Sequence, residues 1–546
     1  MVSANATSPS ASRASALMAL GTLLSRATGI VREVAVIGAI GTAVFADTYS
    51  VGNSMPNVVY VLIIGGSLDA VFVPQIVRRM KDDADNGRAY INKLLTATLV
   101  VLFALTAIAV LAAPLIADIY GSQRWSATDR SVAIMFTRYC LPQIVCYGLF
   151  EMLSQVLNAR GRFGAPMFAP ILNNIVVIST AAAFVFIAGT KVTTGSVTNS
   201  QLALLGIGTT VGVITQACVL LPMMGRTGHM WRLDFKWRDA GLGKALTLAR
   251  WTFLLVLVNQ AGYVVITKLA TTANVLAEGT KSAAAGFTSY QKAHLLFVLP
   301  HGIITVSLVT AIVPLLSKHA HQGRTDALRE ELLRVLRAIS SFVIPAAAIV
   351  FALGPQIGMV LYGSGASNRD SGHIIGVTLS AFALALPAYS LYYALLRVFY
   401  ANEDTRTPFL LTVVLNVVDV ALALPLFWQA STADKIPALA AAYVSAYWVT
   451  LAVAWMIARR RLGGLTTAPL LTHSMRMLAL SIPAGALAWW IGNVLSDAHQ
   501  TSWVRTVPVA IAAAAGLMFV VVGGRIVGIR EFTTPHASII SRLRRR

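Results

Sequence analysis

The chain has 546 residues, 56% of them hydrophobic and only 12% charged, with a formal net charge of +21. So few charges exclude an ordinary soluble globular protein, in which about a quarter of the residues carry charge. The positive balance would suit a nucleic-acid binder, but the cations stand in short runs between long apolar segments, which is how membrane loops look; no nucleic-acid partner is expected.

A helix needs roughly 20 apolar residues to cross the hydrocarbon layer, and by that measure the chain carries about 14 spans. In chain order they fall at 14–42, 46–77, 91–117, 133–157, 165–188, 202–224, 245–271, 284–316, 335–361, 374–400, 408–428, 437–458, 470–494 and 506–527. Residues 1–13, rich in Ser and Ala, read as a disordered cytoplasmic tail, and 528–546 as a basic cytoplasmic tail. Cys140, Cys146 and Cys218 all lie in apolar segments without metal-ligand spacing and read as free thiols; no metal or other cofactor is expected from them. No loop exceeds about 20 residues, so there is no room for a soluble catalytic domain, and no phosphate-binding loop is present. A carrier rather than an enzyme is expected.

Orientation follows from the cations. Loops 2–3, 4–5, 6–7, 8–9, 10–11 and 12–13 hold most of them, as in RRMKDDADNGR at 78–88, while the opposite loops hold only one or two each, such as Lys191, Arg369 and Lys435. The positive-inside rule then places both termini in the cytoplasm of a multi-pass plasma-membrane protein.

The chain also repeats itself. LIIGGSLDAVFVP at 62–74 matches GIITVSLVTAIVP at 302–314 in six of thirteen positions, an offset of 240. At an offset of 242, ARGRFGAPMFAPILNN and ANEDTRTPFLLTVVLN align Ala159 with Ala401, Pro166 with Pro408 and Asn174 with Asn416. Two such matches in order predict two six-helix lobes in the same orientation, 14–224 and 225–458, with a helix pair at 459–527 outside the repeat. Parallel repeats of this kind place a transporter's site between the halves. The expected fold is an all-α polytopic membrane protein.

Charges inside such helices cost a few kcal/mol each unless they have a task. TLLSRATGIVRE at 22–33 carries Arg26 and Arg32 six residues apart, about 9 Å along the axis and about 120° around it. Guanidinium forks suit phosphate or pyrophosphate; the competing reading is internal pairing of Arg32 with Glu33 or Asp47. Lys292, early in span 8, either faces the cavity from the second lobe or snorkels to the helix end. Asp69 and Asp419 are carboxylates in apolar helices. Asn416 and Asp419 share a face, and with Asn259 or Gln260 and Thr450 they form either an oxygen-rich cation site or an interhelical hydrogen-bond cluster.

SRATGIVRE, ADTYSVGNSMPN and GGSLDAVFVPQIVRR resemble the amino-terminal signature of the MurJ/MviN lipid II flippases, of the multidrug/oligosaccharidyl-lipid/polysaccharide exporter superfamily. The resemblance covers nearly the whole chain. It implies alternating-access movement of the undecaprenyl-pyrophosphate-linked peptidoglycan precursor, lipid II, from the inner to the outer leaflet of a bacterial membrane, for cell-wall synthesis. It also implies that Arg26, Arg32 and Asp47 are substrate-site residues. The chain departs from the family where an arginine pair usually follows Pro-Asn (here Val58, Val59, Tyr60 and Val61), at Gly65, and at Leu295, where the family has an arginine; these departures resemble an actinobacterial branch. Membrane lipids and the cell-wall synthesis machinery are the further partners implied. The driving force is expected to be membrane potential or a sodium or proton gradient. Within the superfamily a polysaccharide-lipid or drug exporter is the competing reading, followed by a polyprenyl-phosphate-dependent glycosyltransferase.

Overall fold

The structure, a computed structural model, describes residues 9–64, 78–80, 82–226, 231–235, 250–278, 285–495 and 506–533. Gly65, Asp69, most of the 62–74 segment and parts of both tails lie outside the described residues. The described residues form helices and loops and no strand. Two compact units, 1–260 and 261–546, divide the chain within one helix, Arg250–Ala277.

The first unit contains α1 (Pro9–Ile40), α2 (Val44–Ile64), α3 (Arg88–Leu111), α4 (Ala113–Tyr120), α5 (Ala127–Cys140), α6 (Gln143–Ala159), α7 (Gly164–Ala188), α8 (Asn199–Cys218), α9 (Leu220–Gly225) and the start of α10 (Arg250–Ala277). Polar residues in the loops start these helices. Ser126 and Asp129 cap α5 reciprocally, each side chain accepting from the other's backbone N–H, and Thr198 with Gln201 does the same for α8. α1 packs along α7, α2 on α5, and α8 on α7. Close approach rests on small residues: a Cβ added to Gly52 would stand 2.7 Å from the Phe136 Cβ and 2.8 Å from the Thr137 nitrogen. Val36, Ile40, Phe45, Tyr49, Phe136 and Phe184 then fill the space where these helices meet.

The second unit holds the rest of α10, α11 (Phe287–Pro300), α12 (Val306–His321), α13 (Thr325–Tyr362), α14 (Arg369–Ala383), α15 (Leu386–Ala401), α16 (Arg406–Gln429), α17 (Lys435–Arg461), α18 (Thr467–Leu495), α19 (Thr506–Ile526) and α20 (Arg530–Thr533). A single π turn, His301–Thr305, joins α11 to α12. The 38-residue α13 is the spine, contacting α14, α15, α18 and α19. Its GPQIG segment (Gly354 to Gly358) meets GHIIG (Gly372 to Gly376) of α14 backbone to backbone. A Cβ on Gly376 would fall 2.4 Å from the Gly354 carbonyl oxygen, and one on Gly358 would fall 2.3 Å from that of Gly372. Without a hydrophobic driving force between helices in lipid, such contact surfaces supply the attraction through dispersion.

Among the described residues eleven helices or helix pairs are long and apolar enough to cross a membrane, and α14 with α15, bent by 48°, makes a twelfth. α1 and α2, with Arg26, Arg32, Glu33 and Asp47, are the more polar remainder. Within the described residues every expected span falls on a helix or on consecutive helices, 46–77 as far as Ile64, 245–271 from Arg250 and 284–316 from Phe287. Leu111 and Phe186 stand 83% and 92% exposed, as befits side chains solvated by hydrocarbon. The protein is a multi-pass, all-α membrane protein.

Candidate functional site

α1 is held in one rotation by α7. Asn174 donates through Nδ2 to the Ser25 carbonyl at 3.2 Å and to the Thr28 hydroxyl at 2.9 Å, while Gly21 lies against Met167 and Phe168. Residues 21, 25 and 28 therefore define the buried face of α1. Helix geometry puts Arg26 about 120° around from it. Arg26 is exposed and makes no hydrogen bond or ion pair among the described residues. This is the arrangement expected of a guanidinium reserved for something outside the protein.

Arg32 falls on the azimuth of the α7-facing side and is half-buried. Its guanidinium holds the neighbouring Glu33 carboxylate, Nε to Oε1 at 3.1 Å and Nη2 to the same oxygen at 2.5 Å. Of the two readings of Arg32, internal pairing with Glu33 is therefore present in this conformation. The 31% side-chain exposure of Arg32 still leaves a guanidinium edge open. Asp47 is fully buried in the first turn of α2, where its N–H donates to the Ala43 carbonyl at 3.2 Å. Nearby, the Tyr49 and Thr209 hydroxyls share a hydrogen bond of 2.8 Å between α2 and α8.

In the second unit Lys292 lies in the second turn of α11 and is 7% exposed. His294, two residues on, sits in a box of Tyr290, Phe297, Phe382 and Tyr443, with its Nε2 3.3 Å from the Tyr443 hydroxyl. Leu295 is exposed. This aromatic box was not legible in the sequence, because its members come from α11, α14 and α17.

The expected oxygen cluster is distributed unevenly. Asn416 spends its Nδ2 on its own helix, donating to the Thr412 carbonyl at 2.9 Å, and its Oδ1 faces Gly262, where an added Cβ would come within 2.0 Å. Asp419 Oδ1 and Thr450 Oγ1 are buried with no hydrogen-bond partner. Asn259 is exposed and lies on the part of α10 that belongs to the first unit. The second unit itself thus supplies Asn416 and Asp419 from α16 and Thr450 from α17, two helices in extensive contact. A buried oxygen left without a donor costs about 1–3 kcal/mol, and Asn53 Oδ1, Thr106 Oγ1 and Thr305 Oγ1 are in the same state. The Asp419 and Thr450 oxygens are the kind of group a cation or proton would satisfy.

The comparisons with known proteins follow the same line. The family model described as lipid II flippase MurJ matches residues 36–509. A probable lipid II flippase MurJ of Rhizobium meliloti is 27% identical over 523 residues, covering 92% of both chains. Another, from Rhizobium tropici, is 27% identical over 416 residues, covering 74% of both. Among solved structures, a lipid II flippase MurJ in an inward closed conformation superposes with a TM-score of 0.70 at 18% identity, over 94% of this chain and 99% of that one. An inward-facing multidrug resistance MATE transporter of the MOP superfamily reaches 0.63 at 15% identity, over 80% and 94%. At these identities the structural likeness shows the fold.

Proposed function

The chain belongs to the lipid II flippase MurJ family, and from that premise we infer how its own residues serve the task. It is a flippase for lipid II, the undecaprenyl-pyrophosphate-linked peptidoglycan precursor, which it moves from the inner to the outer leaflet by alternating access. Nothing in this work requires a bond to be made or broken. The polyprenyl tail stays in hydrocarbon, and the barrier is the transfer of a charged pyrophosphate and its sugar-peptide headgroup through a medium that solvates neither.

Arg26 lowers that barrier by offering a planar, permanently charged donor fork to the pyrophosphate. The observation that carries this assignment is its exposure without an internal partner on a helix whose rotation Asn174 fixes. Arg32 adds a second guanidinium edge while Glu33 holds it in place. Asp47, buried at the start of α2, acts from behind the site rather than on the cargo. Lys292 is the cation of the second unit assigned to the same headgroup. Both termini are assigned to the cytoplasm of a bacterial plasma membrane, on the distribution of loop cations.

The test is depletion of the chromosomal copy, complementation with variants, and measurement of lipid II accessible at the outer leaflet. Arg26→Ala should lower that signal by at least about tenfold, equivalent to about 1.4 kcal/mol of lost interaction, with protein level unchanged. Arg26→Lys should restore only part of it. Full activity of Arg26→Ala would remove the assignment.

Asp419, Thr450 and Asn416, with Asn259 as a further oxygen donor, are the proposed coupling group for a sodium ion or proton. The orphaned Asp419 and Thr450 oxygens support this reading. In vesicles with imposed gradients, Asp419→Asn should slow flipping and flatten its response to the gradient. A variant that flips slowly yet keeps the full gradient response would mark Asp419 as structural.

A further inference from the structure

One titratable side chain of the second unit has no part in the groups assigned to cargo and coupling. His294 stands in α11 among the rings of Tyr290, Phe297, Phe382 and Tyr443. A phenylalanine would fill such a box as well, without bringing two ring nitrogens that need partners. The His294 Nε2 meets the Tyr443 hydroxyl at 3.3 Å. One turn along α17, the Tyr443 hydroxyl bonds to that of Tyr447, the two ring centroids lying 4.6 Å apart. Tyr447 interacts electrostatically with Asp419 of α16, as does Tyr290. An imidazole, two phenols and a carboxyl from three helices therefore stand in series.

The series has a direction. At 1.5 Å per residue, His294 and Tyr443 lie about 10 and 12 Å from the starts of α11 and α17, and Asp419 lies about 15 Å from the end of α16. These three helix ends are the ones away from the basic loops, which the cation distribution assigns to the cytoplasm. His294 is thus the member nearest the outer face, and Asp419 lies deeper.

Such a series suits a proton better than a metal ion. A hard cation asks for about six oxygens at once, yet Asn416 turns its Oδ1 to Gly262 and its amide nitrogen to the Thr412 carbonyl. A phenol both donates and accepts, and an imidazole can take a proton at one nitrogen while releasing one from the other. The remaining titratable groups near the box are few. Tyr290 and Lys292 come from α11 itself, Tyr263 from α10 meets Phe287, and Tyr389 from α15 meets Phe297 and Tyr447. α14 faces it with Phe382, His301 is bonded to Ser390, and the charged residues of α13 all lie at or before Arg337, at the basic-loop end.

We propose that the coupling ion is a proton and that His294, Tyr443 and Tyr447 carry it between the outer face and Asp419. This rests on the coupling role already given to Asp419. A proton arriving at His294 Nδ1 is matched by release of another from Nε2 to the Tyr443 oxygen. Tyr443 passes its hydroxyl proton to Tyr447, and Tyr447 passes its own to Asp419 Oδ1. One N–H or O–H bond forms for each that breaks, the three relay residues end neutral, and only the carboxylate changes charge. In this conformation the last link is open, because Asp419 Oδ1 has no hydrogen-bond partner.

The experiment reconstitutes the full-length chain in vesicles with lipid II and a trapped pH-sensitive dye. It follows flipping and proton entry under an imposed pH gradient or an imposed sodium gradient. The unaltered protein should flip faster when its outer face is acidic, admit protons as it does so, and ignore sodium at equal pH. Tyr443→Phe and Tyr447→Phe each remove one hydroxyl and keep the ring, while His294→Gln keeps a hydrogen-bonding group that cannot exchange protons. Each should lower the ratio of flipping with the pH gradient to flipping without it by at least about fivefold. A thermal unfolding scan checks that each variant is folded. A purely structural role would lower both rates together and leave the ratio as it was, which would overturn the proposal. So would flipping that answers to sodium and not to pH. If Asp419→Asn abolishes the ratio while the three relay variants keep it, the path through His294 is lost and the coupling role of Asp419 stands. If Asp419→Asn keeps it too, both fall.

Discussion

In the first unit the chain leaves α6 through Arg160, Gly161 and Arg162; in the second it leaves α15 through Asn402, Glu403 and Asp404. Both turns close identically. The N–H of Gly161 donates to the Asn158 carbonyl and that of Arg162 to the Leu157 carbonyl, at 2.9 and 2.8 Å. Glu403 and Asp404 donate to the Tyr400 and Phe399 carbonyls at 3.0 and 2.9 Å. Both have their central residue in the left-handed region, Gly161 at φ +72° and Glu403 at φ +57°. This is the Schellman ending of a helix, at positions the 242-residue offset aligns.

What the side chains do is opposite. Arg160 and Arg162 open into a cationic cavity, whereas Asp404 turns inward, accepting the Thr407 N–H at 3.0 Å and pairing with Arg461 of α17. The aligned asparagines diverge as well. Asn174 fastens α7 to α1, while Asn416 bonds within its own helix. Backbone geometry and electrostatics have therefore been treated separately in the two units. At these aligned turns the first unit exposes its guanidiniums, and the second folds its carboxylate back onto the chain.

The comparison breaks most readily at the asparagines. Asn174→Ala removes two interhelical hydrogen bonds and leaves the Ser25 and Thr28 groups facing apolar surface, an expected loss of about 2 kcal/mol. Asn416→Ala removes the bond to the Thr412 carbonyl of its own helix and should cost less. Thermal unfolding of the two variants side by side measures the difference; equal losses would mean that the asparagines hold their helices alike.

The turns come next. Gly161→Ala must place a Cβ in the left-handed region and should cost about 1 kcal/mol, whereas Glu403→Gly relieves the same strain and should gain a similar amount. Opposite shifts in melting temperature are expected. Shifts of the same sign would show that the two turns are not equivalent.

Smallest is the charge effect at Asp404. Burial by itself would raise its carboxyl, but hydrogen bonds from Thr407 and the Arg461 guanidinium outweigh burial and hold it below the ordinary aspartate value. A carboxylate so depressed contributes stability that is complete above its unfolded value and lost as pH falls through the folded one. Asp404→Asn should therefore destabilise by less than about 1 kcal/mol at neutral pH. The deficit relative to the parent should vanish in acid. A deficit independent of pH would assign the effect to packing.

Much of this molecule was legible before any fold was known. Hydrocarbon demands long apolar helices, so span number and placement are written in residue type alone. The helix starts capped by Ser126 and Thr198 lie ahead of the spans expected at 133 and 202. Arg26 declared itself because a charge in such a segment is costly without a purpose. The pairing of Arg32 with its neighbour Glu33 is local and was open to a sequence reading, whereas the burial of Lys292 and of the unpartnered Asp419 Oδ1 depends on which helix faces which. The closing of α13 on α14 needed two GxxxG segments to meet, and either alone is compatible with many partners. The arginine cavity is the clearest case: residues 88, 160, 162 and 226 are separated by up to 138 positions, and no local pattern distinguishes them from other loop cations. Hydropathy is a property of each segment against its solvent and survives in the sequence. Convergence of like charges is a property of loop positions in space, and only the packed helices decide it.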